Sequence, residues 1–183
     1  MRMVVKVGTS TLAHATGRLN IRHVEELVKV LSDLKNAGHQ IILVSSGAIG
    51  MGVGKLNLPG RPTDMPTKQA AAAVGQGRLM HLYDNAFAER GILTAQVLLT
   101  RDDLKNRTRF LNIRNTFSEL LGWGVIPVVN ENDTVSVNEL KFSDNDNLAS
   151  LLINPVEADL FVNLTTIGGV LDANPLETPD AAI

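Results

Sequence analysis

The sequence predicts an α/β fold, a mostly parallel open sheet with helices on both faces. Short strand-like stretches at 3–7, 41–44, 94–99, 125–129 and 159–164, wholly apolar at 41–44 and 125–129, alternate with stretches of helical periodicity. Such alternation implies right-handed crossover connections, which place helices on the two faces of a parallel sheet. Composition agrees, because 44% of the residues are hydrophobic and only 4% aromatic, so Val, Leu, Ile and Ala must fill the core. At 183 residues the chain is the size of one domain and long enough to bury that core.

The first strand, 3–7, ends in Gly8-Thr9-Ser10. Asn20 is a helix cap for 21–37, with Ile21, Val24, Leu27, Val28, Leu31 and Leu34 on one face and Gly38 as the terminator. The wholly apolar strand 41–44 leads into a small-residue turn at 45–50 and then a Gly/Pro-rich loop at 51–66. A long helix at 67–90 points Val74, Leu79, Leu82, Tyr83, Ala86 and Phe87 inward. Strand 94–99, helix 110–121 and strand 125–129 follow, then a hairpin or edge strand at 136–142. A short helix at 146–153 and strand 159–164 complete the pattern, and 168–180 reads as a loop. A sheet ending on a strand and an uncapped loop reads as truncated.

Charge and composition narrow the function. A net charge of -2 gives no electrostatic case for nucleic acid or for an anionic membrane. The basic residues between Arg101 and Arg114 are interleaved with Asp102 and Asp103, which reads as a solvated helix face. The absence of cysteine excludes disulfides and thiolate metal sites. No apolar run reaches membrane-spanning length, and the start lacks a signal-peptide core. A cytoplasmic protein is expected.

The polar clusters carry the chemistry. Asn130-Glu131-Asn132-Asp133 follows a buried strand directly, and Asp144-Asn145-Asp146-Asn147 lies shortly beyond it. Carboxylates and amides at the carboxyl end of a parallel strand occupy the place where such sheets bind ligands, although Asn and Asp also build ordinary turns. Gly8-Thr9-Ser10 and the turn at 45–50 would share that edge. Gly8 and Gly47, lacking a Cβ, let backbone amides approach an anion closely. Lys6 ends an apolar strand, where an ammonium either snorkels to solvent or meets a phosphoryl group. Familiar signatures fail: Gly54-Lys55 is followed by Leu56, with Ile49 where a P-loop needs its first glycine. Asp144-Asn145-Asp146 begins like a calcium loop, but Leu148 and Ala149 occupy its next ligand and glycine positions.

Several stretches together carry a resemblance. They are Val4-Val5-Lys6-Val7-Gly8-Thr9-Ser10, Val44-Ser45-Ser46-Gly47-Ala48-Ile49 and Lys68-Gln69-Ala70-Ala71-Ala72-Ala73-Val74-Gly75-Gln76. To these add Leu98-Leu99-Thr100-Arg101, Arg109-Phe110-Leu111-Asn112, Pro127-Val128-Val129-Asn130-Glu131-Asn132-Asp133 and Asp144-Asn145-Asp146-Asn147-Leu148. In this order they resemble the glutamate 5-kinase family, a branch of the amino acid kinases, over nearly the whole chain. The resemblance implies a three-layer α/β/α sandwich whose residues 1–183 form the amino-acid-binding part, with a nucleotide-binding half and any further domain lying outside them.

It also implies an activity: ATP-dependent phosphorylation of the γ-carboxylate of L-glutamate, the first step of proline biosynthesis, with Mg²⁺ carried by ATP. Lys6 corresponds to the lysine at the transferring phosphoryl group, and Asp146 to an organiser of catalytic lysines. Ser46, Gly47, Asp133, Asp144 and Asn145 correspond to the glutamate site. Among them, Asp133 suits the α-ammonium, while Ser46 and Asn145 suit hydrogen-bond donation to carboxylates. Gly8, Thr9, Thr165 and Thr166 fall where nucleotide is contacted. At the last two the chain departs from the family pattern, having Thr165-Thr166-Ile167-Gly168-Gly169-Val170-Leu171 in place of Thr-Asp followed by Gly-Leu-Tyr. Proline as feedback inhibitor, a homo-oligomer and a glutamyl phosphate reductase as partner are further implications. The rivals are kinases of N-acetylglutamate, aspartate or carbamate, and a non-catalytic amino-acid-binding module.

Overall fold

The computed structural model describes residues 1–12, 20–136, 145–165 and 169. A sheet of five strands forms the middle layer: β1 (Arg2–Val7), β2 (Gln40–Ser45), β3 (Thr94–Leu99), β4 (Ile126–Glu131) and β5 (Leu160–Leu164). Their spatial order is β3-β4-β2-β1-β5, and every pairing among them is parallel. All five carboxyl ends therefore meet at one edge of the sheet. The helices are α1 (Thr9–Leu12), α2 (Ile21–Asn36), α3 (Ala48–Leu56), α4 (Met65–Ala88), α5 (Arg101–Lys105), α6 (Arg107–Gly122) and α7 (Asp146–Val156).

Strand alternation divides the core in two. Met3, Val5 and Val7 of β1, Ile41 and Leu43 of β2, and Ile126 and Val128 of β4 face α2, α3 and α4. Val4, Ile42, Val44 and Val129 face the other way, against Leu104, Ile113, Phe117, Leu121, Leu148 and Leu152 of α5, α6 and α7. Helices thus cover both faces, as the sequence predicts.

Several helix boundaries differ from expectation. Residues 48–56 form α3 rather than a turn and loop. Its glycines each disfavour helix by about 1 kcal/mol relative to Ala. Packing overrides that propensity: a Cβ on Gly52 would lie 1.8 Å from the Ala71 carbonyl oxygen, and one on Gly75 would lie 1.8 Å from that of Ala48. α3 and α4 therefore cross backbone against backbone, which larger side chains forbid.

α4 begins at Met65, where Asp64 caps it by accepting from the Thr67 N–H, and Pro66 sits in its first turn. A short α5 precedes α6 because Thr100 and Asp103 form a reciprocal capping box, and Asn106 then caps the next helix. Burial of the Asp103 carboxyl raises its pKa, but hydrogen bonds from Thr100 and Arg109 outweigh that and hold it below the ordinary value. α7 runs on to Val156, through Pro155. Ile21 and Val74, expected inward, are exposed. Ile21 is the first residue of α2, before the helix has turned onto the sheet. The basic residues Lys105, Arg107 and Arg109 are exposed on helices, as predicted. The expected strand at 136–142 falls almost entirely outside the described residues. No described helix is long and apolar enough to cross a membrane.

Candidate active site

Lys6 is the buried cation among the described residues, with only 2% of its surface exposed. Position 6 shares its strand face with Val4 and so points toward the α7 layer. Its Nζ lies 2.9 Å from Asp146 Oδ1, in the first turn of α7. The snorkelling alternative is excluded, because the ammonium ends at a carboxylate within the protein rather than in bulk water. Asn163, paired with Lys6 in the β1–β5 register, donates from Nδ2 to the same Asp146 oxygen at 2.9 Å. Asp146 itself is half-exposed and sits where a helix N-terminus favours negative charge. A cation is thereby held at the sheet edge against a half-exposed carboxylate.

Asn145, next to Asp146, links this pair to the turn after β2. Its Nδ2 donates to the Ser45 carbonyl oxygen at 2.8 Å, to Asn130 Oδ1 at 2.8 Å and to Ser46 Oγ at 3.0 Å. All four residues are buried. In this geometry both amide hydrogens of Asn145 are committed to protein oxygens. Ser46 keeps a hydroxyl hydrogen to donate, since its oxygen acts as acceptor to Asn145.

Gly47, the N-cap of α3, has φ 113°, a conformation in which a side chain is strained, and no atom lies within 4 Å of the place a Cβ would take. The space above the α3 N-terminus is open. At the end of β1, Gly8 accepts from the Thr11 N–H, and Thr9 opens α1 beside it. Ser46 N–H donates to the Val7 carbonyl at 3.2 Å, so the β1 and β2 turns are tied together.

Asp133 stands in the turn after β4, on the same sheet edge. Burial, reinforced by the negative charge of Glu131, pushes its carboxyl up to about 6. Glu131 is held in place by the Ser136 hydroxyl at 2.6 Å. Thr165 follows β5 on this edge. Asp144 and Thr166 lie outside the described residues. The structure thus brings Lys6 to Asp146 and Asn145 to Ser46, with Gly8, Thr9, Gly47, Asp133 and Thr165 on the loops around them.

Sequence reasoning missed the layer beneath. Asn130 Nδ2 donates to Gln76 Oε1 at 2.8 Å, the Tyr83 and Ser45 hydroxyls meet at 2.8 Å, and Gln69 Nε2 reaches the Ser136 carbonyl at 3.4 Å. Burial raises the Tyr83 phenol far above its ordinary range, so it stays protonated as a donor. The signal was present in the spacing: Gln69, Gln76 and Tyr83 recur every two turns on one side of α4. A depression of about 410 Å³ opens at the amino edge among Met1, Arg2, Gly38, Gln40, Glu157 and Asp159. Its charges serve the fold, Arg2 with the Val156 carbonyl and Gln40, and Glu157 with Arg114, and it lies at the opposite end of β1 from Lys6.

The model of the amino acid kinase family matches residues 1–183. The chain belongs to the amino acid kinase family. It is 55% identical over 183 residues to a protein named glutamate 5-kinase from Caldanaerobacter subterraneus subsp. tengcongensis, covering 100% of this chain and 49% of that protein. A glutamate 5-kinase of Nitratidesulfovibrio vulgaris is 59% identical over 181 residues, covering 99% of this chain and 47% of that one. The chain spans about half the length of these curated relatives. Among solved structures, an isopentenyl phosphate kinase of T. acidophilum in a product complex superposes with TM-score 0.66 at 18% identity. That match covers 100% of this chain and 78% of the other, and it establishes the amino acid kinase fold.

Proposed function

We propose that this chain is the amino-acid-binding and phosphoryl-facing part of an L-glutamate 5-kinase, which phosphorylates the γ-carboxylate of glutamate in the first step of proline biosynthesis. The observation that carries the reading is Lys6: a buried ammonium at the carboxyl edge of a parallel sheet, fixed by Asp146, whose chain neighbour Asn145 is bonded to Ser46. The names of relatives 51% to 59% identical over nearly the whole chain support it.

The chemistry asks little of the protein beyond positioning. A γ-carboxylate is already ionised at neutral pH and attacks without a general base. The obstacle is the approach of two anions and the spread of charge over the transferring phosphoryl oxygens. Lys6 answers that charge, and the amides around Gly8 and Gly47, with Thr9, suit phosphate oxygens. ATP, when bound, supplies the phosphoryl group, and Mg²⁺ travels with its phosphates. Asp133, ionised, pairs with the α-ammonium, and Ser46 donates to a carboxylate. Asn145 offers its Oδ1 as acceptor to the ammonium. Asp144, Thr165 and Thr166 complete the proposal on the amino acid and nucleotide sides, and the nucleotide is held mainly by residues outside 1–183.

An aspartate facing a free ammonium also separates glutamate from N-acetylglutamate, whose amide nitrogen carries no charge. In a cytoplasmic homo-oligomer with proline as inhibitor, the product would pass to a glutamyl phosphate reductase. The test is trapping of γ-glutamyl phosphate by hydroxylamine with the full-length protein. ATP-dependent hydroxamate from glutamate, and none from N-acetylglutamate, aspartate or carbamate, is expected. Hydroxamate from one of the others and not from glutamate would reassign the substrate.

A further inference from the structure

We propose that Gln76, in the middle of α4, is a positioning residue that fixes which atom Asn145 offers to the bound amino acid. The consequence for binding rests on the glutamate reading above, but the hydrogen-bond order does not. It starts from a group with no choice: the Glu131 backbone N–H can only donate, and it donates to Asn130 Oδ1 at 2.9 Å. Asn130 must therefore turn its oxygen toward Glu131 and its NH₂ the other way. That NH₂ meets Gln76 Oε1 at 2.8 Å. The same Asn130 oxygen faces Asn145, so Asn145 is obliged to present Nδ2 to it, at 2.8 Å.

Two further acceptors, the Ser45 carbonyl at 2.8 Å and Ser46 Oγ at 3.0 Å, crowd the same nitrogen. Asn145 Nδ2 has two hydrogens for three acceptors and is saturated. What remains for a ligand is its Oδ1, an acceptor suited to an ammonium, and the Ser46 hydrogen, a donor suited to a carboxylate. The polarity of the pair matches an α-amino acid and opposes the reverse orientation.

Gln76 is the far anchor of this order. Without an acceptor at position 76, the buried Asn130 NH₂ loses its partner, and flipping the amide would set donor against donor at Glu131. Asn130 would instead rotate toward water, and Asn145 and Ser46 would lose their shared reference point. Among the described residues the side-chain hydrogen bond of Gln76 runs to Asn130, so its effect travels through Asn130.

The test uses the full-length protein and two substitutions. Gln76→Met keeps length and removes the acceptor, and it is expected to raise the glutamate KM about tenfold, a loss equivalent to one hydrogen bond. ATP KM should stay within about twofold. Gln76→Glu keeps an acceptor and is expected to restore glutamate KM to within about threefold of the parent. An unchanged glutamate KM in Gln76→Met, or equal rises for both substrates, would overturn the assignment, as would failure of Gln76→Glu to rescue.

A second measurement needs no variant and no turnover. In the unsubstituted protein, the side-chain NH₂ protons of Asn130 and Asn145 should exchange with solvent at least about tenfold more slowly than those of exposed Asn147, read by NMR. Equal exchange rates would dismiss the hydrogen-bond order. Slow exchange combined with no phosphorylation of glutamate would keep the order and reject the substrate.

Discussion

Two charged residues set the expected behaviour of the site. Lys6 is buried and has Asp146 as its ion-pair partner, so Lys6→Met leaves that carboxylate with Asn163 while removing the charge proposed to meet the phosphoryl group. Loss of one preorganised electrostatic contact of this kind costs about 10²- to 10³-fold in kcat. That loss is expected with glutamate KM changed less than about fivefold, and steady-state kinetics on the full-length protein decide it. A kcat within about tenfold of the parent would return Lys6 to a purely structural role. Asp133 carries the opposite problem. Its carboxyl, near 3.8 unfolded and about 6 folded, binds a proton more tightly in the native state. Stability therefore falls as pH rises through the window between those values, and the penalty is complete above it and absent below it. Asp133→Asn is expected to raise the melting temperature at about pH 8 and leave it unchanged near about pH 4. The same substitution should raise the glutamate KM about 10- to 100-fold at about pH 8, the usual loss for a charged hydrogen bond. On the proposed function, kcat/KM for glutamate in the parent protein should decline below about pH 6 as Asp133 protonates, and in Asp133→Asn that decline should vanish. A substitution that lowers stability at about pH 8 would contradict the buried-charge account.

At the scale of elements, α4 connects the core to the site. Its glycine and alanine face lets α3 approach within backbone contact, and α3 carries Gly47 at its N-terminus. Alanine in a helix is favoured over glycine by about 1 kcal/mol, so Gly75→Ala would stabilise if only propensity mattered. A methyl 1.8 Å from the Ala48 carbonyl oxygen and 2.5 Å from the Gly52 nitrogen reverses the sign, since neither neighbour is a flexible side chain. Overpacking of this severity costs about 1–3 kcal/mol or more. Gly75→Ala is expected to lower the melting temperature by about 5 °C or more and to raise the glutamate KM by displacing α3. Gly77→Ala, on the same helix but with nothing within 4 Å, should leave the melting temperature unchanged or raise it. Equal effects from the two changes, measured by thermal denaturation, would remove the close-crossing explanation. The same contact explains what sequence reading missed. Glycine at positions 50, 52 and 54 spoke against a helix locally, and only the partner helix, distant in sequence, turns the small residue at the crossing into a requirement.

Across the whole molecule, legibility followed the range of the determining interaction. Strands β1, β2, β3 and β4 were visible because their apolar runs are local, and the division into two cores follows from alternation along them. Lys6, Ser46 and Asn145 were visible as polar residues at strand or helix ends. Their partners were not, because Asn145 and Ser46 are far apart in sequence and nothing local says which atom of an amide faces which neighbour. The polar partners of Gln76, Tyr83 and Asn163 went unread for the same reason: each lies inside a regular element and gains its role from another. The division of labour between amino acid and nucleotide can be tested at this scale too. Ser46 and Asn145, proposed to face glutamate, and their supports Asn130 and Gln76 are joined by hydrogen bonds within these residues, whereas the nucleotide is proposed to be held mainly outside them. A polypeptide of residues 1–183 and the full-length protein should therefore differ in one respect when titrated calorimetrically, provided circular dichroism first shows the shorter one to be folded. Glutamate affinity is expected to agree within about tenfold between them, because binding energy follows the contacts retained. ATP affinity is expected to fall by at least about a hundredfold in the shorter chain, with the loss of most phosphate and base contacts. Tight ATP binding by residues 1–183 alone would place the nucleotide site on this half of the fold and require Lys6, Gly8, Thr9 and Thr165 to hold it unaided.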